Sequence, residues 1–231
     1  MAAEKRITLD PRLSMIARLT GRCECYADIG CDHGRLGAFM LKTGQCERAI
    51  LTDISEPSLK KARTLIALLE LEDLVEFRVG DGARALDRPV DAVVIAGMGG
   101  ATAAKIIREG HEQLGSARLI VQPNVGAPEV RTAMSACGYR IADERVVRDG
   151  GRNYVIIVAE PGESQYDARE ILVGPVLLSR MPDELQPYAR FRLRVAQKAL
   201  KGARSANDAE TADALAREAA IWEEICACLQ K

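Results

Sequence analysis

The residues with the most chemical potential lie in three short segments, Asp28-Ile29-Gly30-Cys31-Asp32-His33-Gly34, Leu51-Thr52-Asp53-Ile54 and Gly80-Asp81-Gly82. Each closes a short run rich in apolar and β-branched residues, so each carboxylate falls at the carboxyl end of an expected strand. In an open parallel sheet those ends line one crevice. A glycine-rich turn between strand and helix brings backbone amides to a nucleotide-like ligand. The second glycine of a dinucleotide fingerprint lets the backbone reach the pyrophosphate, but here that position carries Asp32, and a carboxylate there repels phosphate. S-adenosylmethionine has no phosphate; its sulfonium and ammonium groups suit an acid-lined turn. Asp53 stands 23 residues after Gly30, where an acidic side chain can accept hydrogen bonds from both ribose hydroxyls. Asp81, or the amides beside it, can read an exocyclic amine. The plainer alternative is that Asp28 and Asp32 order their turn and Asp81 is a turn residue.

The elements that must position these residues alternate. Strands are expected at residues 26–29, 48–52, 75–79, 92–95 and 119–122, then at 139–147 and 154–159. Helices fill the gaps, among them 56–69 behind a Ser55 cap and 102–109 behind Gly99-Gly100. The last two strands flank Asp149-Gly150-Gly151, a hairpin signal. Such alternation builds a largely parallel sheet of βαβ units. Seven strands ending in an antiparallel hairpin is the element order of a class I methyltransferase, a Rossmann-like α/β fold with a seven-stranded mixed sheet.

Pro161-Gly162-Glu163-Ser164 reads as a linker, giving a methyltransferase domain over 1–162 and a helical domain over 163–231. In the second, Leu193, Ala196, Leu200 and Ala203 recur at helical spacing, as do Leu215, Ala219, Trp222, Cys226 and Leu229. The polar segment 204–208 lies between them, so the tail is expected to be a coiled-coil-like α-helical hairpin.

Composition narrows the class. The 231 residues carry a net charge of -1, with 48% hydrophobic and 4% aromatic residues, as in an ordinary globular protein. The balance excludes a globally basic nucleic-acid coat and the aromatic poverty excludes a surface built for base stacking. The first residues lack an apolar signal region, and the longest uncharged stretch, 92–104, falls well short of the roughly 20 residues of a membrane span. Seven cysteines, an odd number, fit free thiols in a reducing cytoplasm, and with two histidines they give no metal-site spacing. The expectation is a cytoplasmic monomer without metal or membrane partner.

Two further motifs complete the chemistry: Ile95-Ala96-Gly97-Met98-Gly99-Gly100 after the fourth strand, and Gln122-Pro123-Asn124 after the fifth. The first is not the Asn-Pro-Pro-Tyr type of element that amino-methylating enzymes place there. Together with Ala27 to Gly34 and Leu172-Val173-Gly174-Pro175, these motifs resemble the TrmK family, bacterial tRNA methyltransferases acting on N1 of the adenine at tRNA position 22. The resemblance runs from about Leu13 into the tail. It implies S-adenosylmethionine as cofactor and tRNA as partner. Asp28, Gly30, Asp53, Ile54, Asp81, Gly82, Ala96, Gly97 and Met98 then fall on cofactor-binding positions, and Asp32, His33 and Asn124 on the catalytic, acceptor-facing side. Cys31 stands where serine or threonine is expected, and Asn153-Tyr154-Val155 lacks an acid after the tyrosine. Adenine N1 has an in-plane lone pair and no proton, so positioning supplies most of the catalysis. Asp32 is expected to accept a hydrogen bond from the exocyclic amine. His33 is either an orienting group or a turn residue. A methyltransferase for another RNA base or a small molecule, and a noncatalytic RNA-binding module, remain alternatives.

The near-neutral total conceals segregation. Residues 188–204 hold six cations and no acid, whereas 205–231 hold six acids and two cations. On a helical wheel Arg190, Arg194, Lys198, Lys201 and Arg204 form one stripe. Either the stripe pairs with the acidic helix or it tracks an RNA backbone; with the resemblance upstream, tRNA binding is the expectation.

Overall fold

The computed structural model describes residues 7–230. Two compact units divide between Gln165 and Tyr166, three residues past the expected boundary. The shift has a local cause. The expected linker folds back on the first unit, where Ser135 Oγ donates to the Ser164 carbonyl at 2.7 Å and Ser164 Oγ to the Tyr139 carbonyl at 3.0 Å.

The first unit runs α1 (Pro11–Thr20), β1 (Cys23–Ile29), α2 (Arg35–Lys42), β2 (Cys46–Asp53), α3 (Glu56–Leu68), β3 (Val75–Val79), β4 (Ala92–Met98), α4 (Gly100–Glu109), α5 (His111–Leu114), β5 (Arg118–Pro123), α6 (Ala127–Ala136), β6 (Tyr139–Asp149) and β7 (Arg152–Pro161). The strands form one seven-stranded sheet in the order β3-β2-β1-β4-β5-β7-β6. The first five are parallel, and β7 runs antiparallel to both β5 and β6. The central strands are apolar on both faces, as a sheet covered on both sides requires. Val93, Val94, Ile95, Leu119, Ile120 and Val121 have no exposed surface. All seven expected strands are present, most extending one to three residues further.

Helix α1 was not among the expected elements, yet its start is well specified. The Asp10 side chain accepts from Leu13 N at 2.7 Å and Pro11 occupies the first turn, where a missing N–H costs nothing. Between α6 and β6, Arg131 and Glu144 form an ion pair at 2.8 Å with neither side chain exposed.

The second unit contains α7 (Ala168–Val173), α8 (Pro175–Arg180), α9 (Leu185–Ser205) and α10 (Ala209–Cys228). Helices α9 and α10 form the expected hairpin, with two short helices before it. Asp208 caps α10 by accepting from Thr211 N at 3.1 Å. The seam is centred on Trp222, fully buried, against which Tyr188 packs edge-on with ring centroids 5.7 Å apart. Such a ring pair contributes about 1 kcal/mol beyond its area.

Candidate active site

At the carboxyl edge of the parallel strands a cavity of about 420 Å³ is lined by Asp28, Gly30, Asp32, His33, Ala96 and Gly97 among others. That volume is in the range of small-molecule sites. Six of the expected residues are thus brought together.

Asp28 is buried in β1. Burial, and secondarily the charge of Asp53, push its carboxyl up to about 7. A buried acid of this kind is stabilised in its charged form by a cationic ligand. The turn after β1 is drawn onto β2, with Gly30 N and Cys31 N both donating to the Thr52 carbonyl at 2.9 Å. Gly30 has φ +77, and a Cβ there would lie 3.1 Å from Met98 Cε, so glycine keeps the wall close and thin. Asp32 is held at φ +47, an uncommon conformation for a non-glycine residue, and its N–H donates to Asp53 Oδ2 at 3.3 Å. Its carboxylate Oδ2 lies 2.5 Å from His33 Nδ1, and both side chains are more than half exposed. Burial pushes the Cys31 thiol far up, which keeps it neutral and unsuited to act as a nucleophile.

Asp53 reaches the cavity through Asp32 and also accepts from Ser55 N at 2.8 Å. Beside it Ile54 and Val79 are 72% and 56% exposed, large apolar side chains left open at the strand ends. They suit a flat heteroaromatic ring. Asp81 and Gly82 do not line the main cavity; they border a small second one, about 60 Å³, against Ile106 and Lys105 of α4.

The fourth and fifth strands close the other wall. The β4 register slips between Ala96 and Met98, where Gly97 takes φ +78. Gly97 N donates to Gln122 Oε1 at 3.2 Å, and Asn124 Nδ2 donates to the Gly97 carbonyl at 2.7 Å. Gln122 Nε2 donates to Asn124 Oδ1 at 3.3 Å. Both polar ends of the Asn124 amide therefore engage the β4 loop and its neighbour, which makes it a positioning residue in this geometry. Two participants were not among the expected site residues, although Gln122 belongs to the motif after the fifth strand. Gln122 is fully buried, and Arg12 lines the cavity, donates to Gln122 Oε1 at 2.6 Å and lies 5.7 Å over the Tyr154 ring. The only sequence signal for Arg12 is the Asp10-Pro11 helix start.

With several carboxylates, the guanidinium groups of Arg12 and Arg35 and exposed apolar residues at the strand ends, the residues fit S-adenosylmethionine, which presents a sulfonium, an ammonium, a carboxylate and an adenine. A family described as "Methyltransferase domain" matches residues 9–157. The chain is 31% identical over 209 residues, 84% of its length and 88% of the relative's, to the tRNA (adenine(22)-N(1))-methyltransferase of Bacillus subtilis. The chain belongs to the TrmK family. The crystal structure of B. subtilis TrmK superposes with a TM-score of 0.88 at 26% identity, covering 96% of this chain and 100% of that one. A Streptococcus pneumoniae protein solved in complex with S-adenosyl-L-methionine has a TM-score of 0.82 at 25% identity, covering 95% of this chain and 100% of that one. The TrmK likeness therefore includes the helical unit as well as the methyltransferase fold.

In that unit the basic stripe is exposed at all five positions, and among the described residues none of Arg190, Arg194, Lys198, Lys201 and Arg204 has an acidic partner. Arg192 behaves differently. It pairs with Glu218 at 2.7 Å and lies 5.6 Å over Trp222, so the acidic helix takes this one cation into the seam.

Among the described residues no group of histidine, cysteine and acidic side chains is placed to hold a metal ion, and no helix is long and apolar enough to cross a membrane.

Proposed function

We propose that this chain transfers a methyl group from S-adenosylmethionine to N1 of the adenine at position 22 of tRNA. The observation that carries the reading is an acid-lined crevice of the right size within a chain similar over most of its length to a relative of that name. When bound, S-adenosylmethionine supplies an electrophilic methyl on a positively charged sulfur.

The chain's own residues bind and orient. Asp28 in its ionised form balances positive charge at the methionine end, and Arg12 faces the methionine carboxylate. Asp53 accepts from the ribose hydroxyls, with Ile54 and Val79 against the adenine and Asp81 with Gly82 at its edge. Ala96, Gly97 and Met98 border the site of transfer, held by Gln122 and Asn124. The acceptor adenine must leave its stack to present N1, its Watson-Crick edge. N1 attacks with its own lone pair, so no base need remove a proton. As the ring becomes cationic, Asp32 accepts a hydrogen bond from the exocyclic amine, an interaction stronger in the product-like state than in the substrate. His33 fixes the Asp32 rotamer. The stripe on α9 binds the tRNA backbone.

The test is incubation with S-adenosylmethionine and unmodified tRNA transcripts, followed by mapping of 1-methyladenosine by mass spectrometry. Product at position 22 that disappears with guanine at that position is expected. Retained methylation on that substituted tRNA overturns the site assignment.

A further inference from the structure

The β6–β7 hairpin reaches further than the sheet requires. Its last rung with the rest of the sheet pairs Val121 with Ile157, yet its own ladder continues to Asp149 and Arg152. Five further residues at roughly 3.4 Å each carry an arm about 17 Å past that rung. Because β7 is antiparallel to β5, the arm projects from the carboxyl edge of the parallel strands, the edge on which the cavity opens. The tip is a two-residue turn with φ +52 at Gly150 and +79 at Gly151, a left-handed pair whose twist matches the flanking strands.

The base of the arm is packed and its tip is free. Val146, Val147 and Val155 are buried, and Tyr154 carries the Arg12 guanidinium on its ring. At the tip Arg148 and Arg152 are exposed, and among the described residues neither forms an ion pair. Side chains alternate along a strand, so Arg152 shares the face of Tyr154. Arg152, with its cross-strand neighbour Asp149, thus shares the face on which Tyr154 carries the Arg12 guanidinium, while Arg148 lies on the opposite face.

We propose that this arm is a phosphate-binding contact of the methyltransferase unit, in which Arg148 and Arg152 hold the RNA backbone beside the nucleotide whose base enters the crevice. The proposal rests on the reading of RNA as the substrate. Extruding a base bends its backbone away from the helix, and the flanking phosphates need a fixed partner while the base is out. Guanidinium forks match phosphate oxygens and fix register without reading sequence. A stiff arm beside the crevice provides this where a mobile loop would lose entropy on ordering.

The experiment compares the full chain with R148Q/R152Q and R148E/R152E, reading tRNA affinity across a salt series, S-adenosylmethionine affinity, and KM against kcat. The charge-reversed variant is expected to bind tRNA at least about tenfold more weakly, with a log–log salt slope reduced by about 1 for each lost phosphate contact. The glutamine variant falls between, KM for tRNA rises, and cofactor affinity stays at the wild-type value. Wild-type tRNA affinity and slope in both variants overturn the arm's role, and so does an equal loss of cofactor affinity, which marks a folding defect. Failure of the two readings is separable. Arm-dependent tRNA binding without methylation at position 22 overturns the function above, whereas methylation with arm-independent binding overturns only the arm.

Discussion

Arg12 Nη1 donates to Gln122 Oε1 at 2.6 Å, joining the first turn of α1 to the end of β5 across 110 residues of sequence. The same oxygen accepts from Gly97 N, and the other end of the buried amide engages Asn124, so one side chain sets the β4 loop, the β5 loop and the Arg12 guanidinium. Gln122→Leu keeps much of the volume but removes every one of these bonds. It is expected to cost about 1–3 kcal/mol of stability through unsatisfied partners. Turnover is expected to fall by about 100-fold, because the loop bordering the transfer site is displaced. Thermal unfolding and kcat at saturating substrates check the two effects separately; unchanged kcat would show that the circuit does not position the loop.

Asp28 makes both stability and binding depend on pH. Its folded-state carboxyl titrates near 7, above the ordinary value of 3.8, because burial and Asp53 disfavour the charge. The stabilising contribution of the bound proton is complete below the ordinary value and is lost as pH rises through about 7. A cationic ligand favours the ionised form, so cofactor affinity is expected to rise with pH across this window and binding near neutrality to release a proton. Titration calorimetry in two buffers of different ionisation enthalpy measures the release, and Asp28→Asn should abolish it. Wild-type affinity that is flat in pH would contradict the assignment.

The parallel strands and their terminal acids were legible because period, β-branching and turn chemistry are local. Asp28, Gly30 and Asp32 follow from the rule that strand ends share a crevice, whereas Gly97 comes from the family resemblance. The Arg12 contact was not legible, since nothing near Arg12 in sequence names Gln122 as its partner. The same limit applies to the tail. A helical wheel separates Arg192 from the stripe but does not show where it goes, because its partner Glu218 lies on the other helix. Val155, where the resemblance leads one to expect an acid after Tyr154, is 3% exposed and counts among the core residues.

Gly100 is fixed by a backbone approach. A Cβ there would stand 1.9 Å from the Gly126 carbonyl oxygen, and Gly100 N donates to the Val125 carbonyl at 2.7 Å. Gly100→Ala therefore forces α4 away from the β5–α6 loop. Overpacking of this kind typically costs about 1–3 kcal/mol, and the backbone obstacle places this site at the upper end. Denaturant unfolding checks it. Gly99, where a Cβ meets nothing within 4 Å, is the matched control and is expected to tolerate alanine with a far smaller loss.

The cations of α9 divide into two kinds with opposite expected phenotypes. Lys198, Lys201 and Arg204 are exposed and lack acidic partners among the described residues, so reversing them to glutamate leaves the seam intact. Each reversal is expected to weaken tRNA binding and reduce its salt slope by about 1, with little change in unfolding temperature. Arg192 is partly buried against Trp222 and paired with Glu218. Arg192→Ala leaves Glu218 without that partner and exposes the indole face, so it is expected to destabilise the helical unit by about 1–3 kcal/mol. Its effect on the salt slope should be small, because its charge is already matched within the protein. Salt-dependent binding and thermal unfolding on the same variants separate the two kinds. If reversal at Lys198, Lys201 and Arg204 left both affinity and slope untouched, the stripe would be a solvated face and tRNA would have to be held by other surfaces.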